Sequence, residues 1–482
     1  MSERLFGTDG VRGIPGQHPL TPEMVRSIAR AAAGLLLKRR PSVNGGGPFI
    51  VMGRDTRASG PALCRSLARG FSAAGCRTWD LGVVPTPAVS YLACGLKALC
   101  GVTVSASHNP AEFNGIKFFM GDGLKMPEPL EARIERLVTK PPACAGKAPG
   151  SGRGRRPSVP CAIRKGVGGR GEAVDGRGLA GRYGEFLRSV FPAHLDLGGM
   201  RIVVDCAHGA ASAIAPGLLE DLGAEVVRLG CAPDGSNINE GCGALETRAM
   251  RRRVLESRAH AGVAFDGDAD RAIFCDEKGR IADGDALIAL AALRLKRIGI
   301  LRDDKVVVTV MTNLGLVKFL ENEGIASVIV PVGDRNVADA IEEGGLSLGG
   351  EASGHLIFRC FAPTGDGIVT ALETLAAVRE SGRSFSGALP RYRVFPQILR
   401  NVPVAKKVPL KRLPAFLKRV RVHEGRMKGF GRVVVRYSGT EPLFRIMVEG
   451  PSAAQVRRIT ADLTKAYLYE SRQEESCLLR PT

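Results

Sequence analysis

The feature that most constrains this chain is a unit that recurs along it: a short β-branched run, a polar or glycine-rich loop, then a longer stretch of helical period. PFIVMG followed by GRDTRASG is the first copy, IVVDCAHGAA from Ile202 the second, and VVVTVMTNLGL from Val306, leading on to SVIVP from Ser327, the third. Short strand patterns alternating with longer helical ones imply parallel pairing through helical crossovers, and so an α/β class. Ahead of the first unit, Thr21-Pro22-Glu23 supplies a cap, a first-turn proline and an early acid. Val25, Ile28, Ala29, Ala32, Leu35 and Leu36 then repeat with helical period, which predicts a helix starting there.

The units divide the chain into three similar mixed α/β domains, over 1–140, 172–282 and 283–391. After Arg391 the pattern changes to RVVVRYSGT and LFRIMVEG, two strand-like runs around a polar turn. This predicts a smaller C-terminal α+β domain over 392–482, with a polar tail after about Ser471.

A net charge of +20 raises the question of nucleic acid, so its distribution matters. Pro141 to Arg170 contains seven basic residues, no acidic ones, seven Gly and five Pro. That composition marks 141–171 as an exposed basic insertion or linker and not a folded module. It has no aromatic residues to stack on bases, which argues against specific nucleic-acid binding. Apolar stretches such as Ala286 to Leu293 fall short of the ~18 residues that cross a bilayer. The opening MSERLFG lacks the apolar segment of a signal peptide, so a cytoplasmic protein with no membrane partner is expected. The twelve cysteines are scattered without CxxC pairs, and Cys64 and Cys206 sit among core-like residues; reduced, mostly buried thiols are expected.

Four blocks carry chemistry. In GVTVSASHNPAEFNGIKFF, from Gly101 to Phe119, a strand pattern runs into a turn of Ser105, Ser107, His108, Asn109 and Pro110. Hydroxyls are thereby presented at the C-terminal end of a strand, where α/β sheets bind ligands, although a turn serine is more commonly a cap than a nucleophile. In FDGDADRA, Asp266, Asp268 and Asp270 alternate after an apolar run. Three carboxylates so close repel one another unless a cation neutralises them, and an all-oxygen set suits Mg²⁺ or Ca²⁺ better than zinc. The spacing imitates an EF-hand, with Glu277 at the twelfth position, but Arg271 replaces the obligatory glycine and the flanks read as strands. A catalytic Mg²⁺ is the better reading. RYSGTEPLFR gathers Arg436, Ser438, Gly439, Thr440 and Arg445 into a phosphate cradle or, more plainly, a hairpin. GGEASGH offers Glu351, Ser353 and His355, which suit sugar hydroxyls.

These blocks, in this order, resemble the α-D-phosphohexomutase superfamily. RLFGTDGVRG at the start, the loop of Gly333, Asp334 and Arg335, TGDGIVTALE from Thr364 and FPQILRNV from Phe395 narrow the likeness to its bacterial phosphoglucosamine mutase branch. The resemblance covers nearly the whole chain except 141–171 and the tail. It implies four domains around a central cleft and a phosphoryl group carried by Ser107. Ser107 would pass it to a phosphorylated hexosamine, giving a hexosamine 1,6-bisphosphate that turns round and returns its other phosphoryl group. The net reaction would interconvert glucosamine 6-phosphate and glucosamine 1-phosphate, towards UDP-N-acetylglucosamine and cell-wall synthesis; a phosphomannomutase or phosphoglucomutase with the same mechanism is the alternative. By the same resemblance Asp266, Asp268, Asp270 and Ser107 hold Mg²⁺. Arg12, Lys117 and Arg271 surround the transferring group, with Lys117 or His108 handling the proton. Gly333, Asp334, Arg335, Glu351, Ser353 and His355 contact the sugar, while Arg436, Ser438, Gly439, Thr440 and Arg445 hold the phosphate that is not reacting. A hinged fourth domain would let the bisphosphate reorient, and a homodimer is left open.

Overall fold

The computed structural model describes residues 4–7, 9–39, 47–139, 173–427, 429–438 and 442–478; the insertion at 141–171, Gly439 and Thr440 lie outside them. Thr21 caps the first helix, its Oγ1 accepting from Met24 N at 3.2 Å, and the helix runs Pro22–Arg39.

The recurring unit folds three times into one topology. In the first domain β1 (Phe49–Arg54), β2 (Arg77–Val83), β3 (Cys100–Val104) and β4 (Asn114–Met120) lie in the order β4-β3-β1-β2. The second repeats that order with β5 (Arg201–Asp205), β6 (Glu225–Leu229), β7 (Ala261–Phe265) and β8 (Ala272–Asp276). The third does so with β9 (Lys305–Thr309), β10 (Ala326–Val330), β11 (Leu348–Gly350) and β12 (Leu356–Phe358). In each, the first strand pairs parallel with the second and third, as the strand–helix alternation predicts. The fourth pairs antiparallel with the third, so the sheets are mixed. The reason is loop length: 105–113, 266–271 and 351–355 are too short for a parallel crossover and can only close hairpins.

Val11–Gly13 adds an antiparallel edge beside β4. Val174–Asp175 pairs parallel with β2, so the chain beyond the insertion touches the first sheet before entering the second.

One apolar cluster runs through all three domains, from Val51, Leu92 and Phe119 through Tyr183, Val204 and Phe265 to Leu290, Val308, Phe358 and Leu375. The C-terminal domain has its own. There β13 (Gln397–Pro403), β14 (Arg432–Tyr437) and β15 (Leu443–Glu449) pair antiparallel in the order β13-β15-β14. Phe416, Phe444, Ile446, Val456, Leu463 and Tyr467 fill the space between this sheet and the helices Pro414–Met427 and Ala453–Leu478. The last helix runs on past Ser471 to Leu478, into the segment expected as a polar tail, because Glu, Arg and Gln suit a helix as well as a loop.

The contacts of this domain with the third mix rings and polar groups: Phe319 lies against Tyr392, and Lys318 over Phe430 at 4.1 Å. Asn313 clasps Phe395 through both backbone groups at 3.0 Å, and Leu314 N donates to Glu449 Oε1 at 2.8 Å. The nine cysteines whose side chains are described are all free, and six of them are buried. Among the described residues no helix is long and apolar enough to cross a membrane.

Candidate active site

The three chemistry-bearing loops of the first three domains are the same hairpin in each repeat, the one joining the third strand to the fourth, and they converge. The 105–113 loop hangs on a buried scaffold. Asp55 Oδ2 accepts from Ser105 Oγ at 2.6 Å and from Arg57 Nε at 2.9 Å, and Ser105 Oγ in turn accepts from Ser107 N at 2.9 Å. Arg57 also donates to the carbonyls of Ser107, Asn109 and Pro110. Of the two serines, Ser105 is therefore spent on the turn. Ser107 is held at φ 52°, an uncommon region for a side-chain-bearing residue, with its hydroxyl 2.5 Å from Asp266 Oδ2. Close approach of the two loops requires Gly267, where a Cβ would stand 2.6 Å from the Ser107 carbonyl oxygen.

Asp266, Asp268 and Asp270 are buried, with ligand oxygens within 4.8 Å of one another. Asp268 Oδ2 accepts from Thr86 Oγ1 at 2.7 Å and from Lys117 Nζ at 3.0 Å. Asp268 Oδ1 and Asp270 Oδ1 are buried with no hydrogen-bond partner among the described residues. Orphaned buried carboxylate oxygens are costly, and a hard divalent cation is the partner that would satisfy both. This donor set fits the expected metal. Burial and the charges of Asp270 and Asp268 push Asp266 well above the ordinary carboxylate range. Burial also pushes Asp270 up, but Lys117, His355 and Arg271 outweigh it and hold that carboxyl well below.

Cations ring this acid cluster. Burial favours neutral Lys117, yet Asp268, Asp9 and Asp270 prevail and keep it protonated. His108 Nδ1 lies 3.3 Å from Ser107 Oγ, and burial beside Arg271 and Arg12 pulls its pKa down to about 4, so the imidazole is neutral at pH 7. Arg271 Nε stands 3.7 Å from Asp270 Oδ1. Arg12 pairs with Asp9, whose Oδ2 is 3.1 Å from Lys117 Nζ.

The 351–355 loop arrives from the third domain. Glu351 Oε1 accepts from Gly333 N at 3.0 Å, and His355 Nδ1 stands 3.7 Å from Asp270 Oδ2. Gly365 packs so near His355 that a Cβ there would lie 2.2 Å from Nε2. Ser353 Oγ is buried with no partner among the described residues. Asp334 pairs with Lys125 and Arg335 Nη2 bonds Glu131 Oε1 at 2.8 Å, so both reach across to the first domain.

The fourth block stands apart, on the C-terminal sheet. Arg436 and Arg445 are direct partners across β14 and β15, and Lys407 Nζ donates to the Ser438 carbonyl at 2.7 Å. Burial and the charge of Arg445 lower the pKa of Arg436, while the field of Glu351 opposes them.

The motif reading missed Asp9, Asp55, Arg57, Thr86, Lys125 and Asn239, whose Nδ2 bonds the Ser107 carbonyl at 3.0 Å. Asp9 and the Asp55/Arg57 pair lie inside quoted polar motifs, where an acid next to an arginine was the available signal. Thr86, Lys125 and Asn239 carry no local signal.

Three tandem α/β repeats with a fourth domain, and a serine set against an acid triad, define a phosphohexomutase architecture. The chain belongs to the phosphoglucomutase/phosphomannomutase family: its α/β/α domains I, II and III match residues 3–143, 182–279 and 283–394, and its C-terminal domain matches 399–466. It is an isomerase of the phosphotransferase kind. Within the family it is 42% identical over 463 residues to a phosphoglucosamine mutase of Syntrophotalea carbinolica, covering 96% of this chain and 97% of that one. It is 44% identical over 462 residues to a phosphoglucosamine mutase of Symbiobacterium thermophilum, covering 96% and 98%. A phosphoglucomutase/phosphomannomutase family protein of Burkholderia thailandensis shares the fold, with TM-score 0.74, 23% identity and 98% of each chain covered.

Proposed function

We propose that this protein interconverts glucosamine 6-phosphate and glucosamine 1-phosphate through a phosphoserine at Ser107 and a glucosamine 1,6-bisphosphate intermediate. The observation that carries the proposal is the convergence of three equivalent hairpin loops, which sets the Ser107 hydroxyl 2.5 Å from Asp266 within a buried acid triad ringed by Lys117, Arg12 and Arg271. The two curated relatives at 42% and 44% identity support the amino-sugar assignment.

In the forward step the bond from Ser107 Oγ to phosphorus breaks as the sugar hydroxyl oxygen bonds that phosphorus and its proton departs. The return step reverses this at the other end of the sugar. Phosphoryl transfer needs in-line positioning and neutralised charge more than covalent help. Lys117, held protonated, neutralises charge on the transferring oxygens together with Arg12 and Arg271. His108, neutral and beside Ser107, accepts the proton. Asp266, Asp268, Asp270 and a phosphoserine oxygen would hold Mg²⁺, which would supply Lewis-acid neutralisation of phosphate charge there. Glu351, Ser353 and His355 grip sugar hydroxyls, with the 333–335 turn behind them. Arg436, Ser438, Gly439, Thr440 and Arg445 hold the distal phosphate, and the polar junction at Asn313 and Phe395 is the hinge that lets the bisphosphate turn.

Intact mass spectrometry of the isolated protein should find one phosphoryl group on Ser107. Assay on glucosamine 6-phosphate against mannose and glucose phosphates should show a clear preference for the amino sugar; a preference for mannose would replace this assignment with a phosphomannomutase.

A further inference from the structure

Lys125 lies just beyond β4, outside every motif that carries the chemistry. Its ammonium is 3.0 Å from Asp9 Oδ1 in the first domain and pairs with Asp334 Oδ2 in the third. Asp9 divides its two oxygens: while Oδ1 takes Lys125, Oδ2 pairs with Arg12 and lies 3.1 Å from Lys117 Nζ. Asp334 opens the helix Asp334–Gly344, and the residue before it, Gly333, donates its backbone N–H to Glu351 Oε1 at 3.0 Å. An unbroken line of ionic and hydrogen-bonded contacts therefore runs from Asp268, 3.0 Å from Lys117, through Asp9 and Lys125 to the turn that orients Glu351. A second strut runs beside it, with Arg335 Nη2 2.8 Å from Glu131 Oε1 and Arg335 Nη1 3.9 Å from Glu128 Oε1.

We propose that Lys125 is a positioning residue: by bridging Asp9 and Asp334 it sets the distance between the phosphoryl-transfer centre and the sugar-gripping Glu351 loop. The proposal rests on the function assigned above, in which Ser107 and Glu351 act on one substrate. The side chain of Lys125 is only 14% exposed and that of Asp334 19%, so the pair is largely withdrawn from water. Removing the ammonium leaves the mostly buried Asp334 carboxylate with only the Arg335 N–H, at 2.7 Å, and the nearby His355, and the relief open to it is for the 333–335 turn to swing towards solvent. Glu351, bonded to that turn, moves with it. Misplacement of a substrate-holding group by about 1 Å is enough to cost up to about a hundredfold in rate.

The experiment compares Lys125→Met, Asp334→Asn and the double variant with the parent and with Ser107→Ala, in the full chain, on glucosamine 6-phosphate. Lys125→Met and Asp334→Asn should each raise KM by about tenfold while kcat falls by less, with melting temperatures close to the parent's. The double variant should be no worse than the more damaged single, because both cut one bridge. Lys125→Arg, which can still span two carboxylates, should recover most of the loss. Additive losses in the double variant would mean that Lys125 contacts substrate directly, and would overturn the proposal. So would a KM within about twofold of the parent's for Lys125→Met. If Lys125→Met does not fold, the near-isosteric Asp334→Asn decides alone, by a raised or an unchanged KM. A Ser107→Ala variant as fast as the parent would instead sink the functional assignment, leaving the two failures distinct.

Discussion

The Ser107 centre and the arginine cradle of the C-terminal domain are both read as phosphate sites, yet they are built in opposite ways. Around Ser107 charges alternate: Lys117 between Asp268 and Asp9, His355 and Arg271 beside Asp270, Arg12 on Asp9. The loops that bear them spring from sheets that each pack one face in a common core and the other in a core of their own. In the cradle two guanidinium groups face each other across neighbouring strands, in a domain with a core of its own. Like charges opposite one another cost energy until an anion lies between them. The first site is assembled to do chemistry at a fixed point. On the proposed function the second binds the phosphate that is not reacting, as a site that must release and recapture a turning intermediate requires.

The two sites should differ most at Ser107. Ser107→Ala should lower turnover by at least about 10⁴-fold, since no alternative hydroxyl takes its place: Ser105 is bonded to Asp55. Steady-state assay with mass spectrometry for the lost phosphoryl group checks it. Asp268→Asn should cost about 10² to 10³-fold, as it weakens the Lys117 contact and the proposed metal set together, and chelation of the parent should abolish turnover that Mg²⁺ restores. Arg436→Met should be milder, about 10 to 100-fold in kcat/KM and mostly through KM, because on the proposed function the cradle holds a phosphate that is not reacting. An equal fall in kcat would erase the distinction between the two sites.

The smallest effect concerns the junction between them. Asp285 is buried, accepts from Asn313 N at 2.7 Å, and burial pushes its pKa up to about 7. A carboxyl raised in the fold contributes its stability below the unfolded value of about 4 and loses it as pH rises through about 7. Asp285→Asn should therefore be close to neutral at about pH 4 and stabilise at pH 8 by of order 1 to 3 kcal/mol. Thermal unfolding at the two pH values measures it.

Much of this was legible beforehand because it is local. The Thr21 cap, the strand–helix alternation and the tight Asp266–Asp270 spacing are properties of a few adjacent residues, and local propensity suffices to read them. The antiparallel return of each hairpin was not read, although the shortness of 351–355 and 266–271 encodes it. The scaffold under Ser107 was also missed. Asp55 and Ser105 are fifty positions apart, and nothing in a stretch of polar loop tells which acid will be buried beneath which serine.

By itself the sequence determined that this chain repeats an α/β unit three times, adds a different domain, and carries a serine, an acid triad, a loop of Glu351, Ser353 and His355, and an arginine pair. These depend on composition and on periods of two and 3.6 residues, which survive in one dimension. Only the tertiary structure decided that the equivalent hairpin of each repeat points to the same place. It also decided that Ser107 and not Ser105 meets Asp266, and that Lys125 ties two domains together. The physical reason is that charge pairing and burial act between residues brought close by packing, across more than two hundred positions for Lys125 and Asp334.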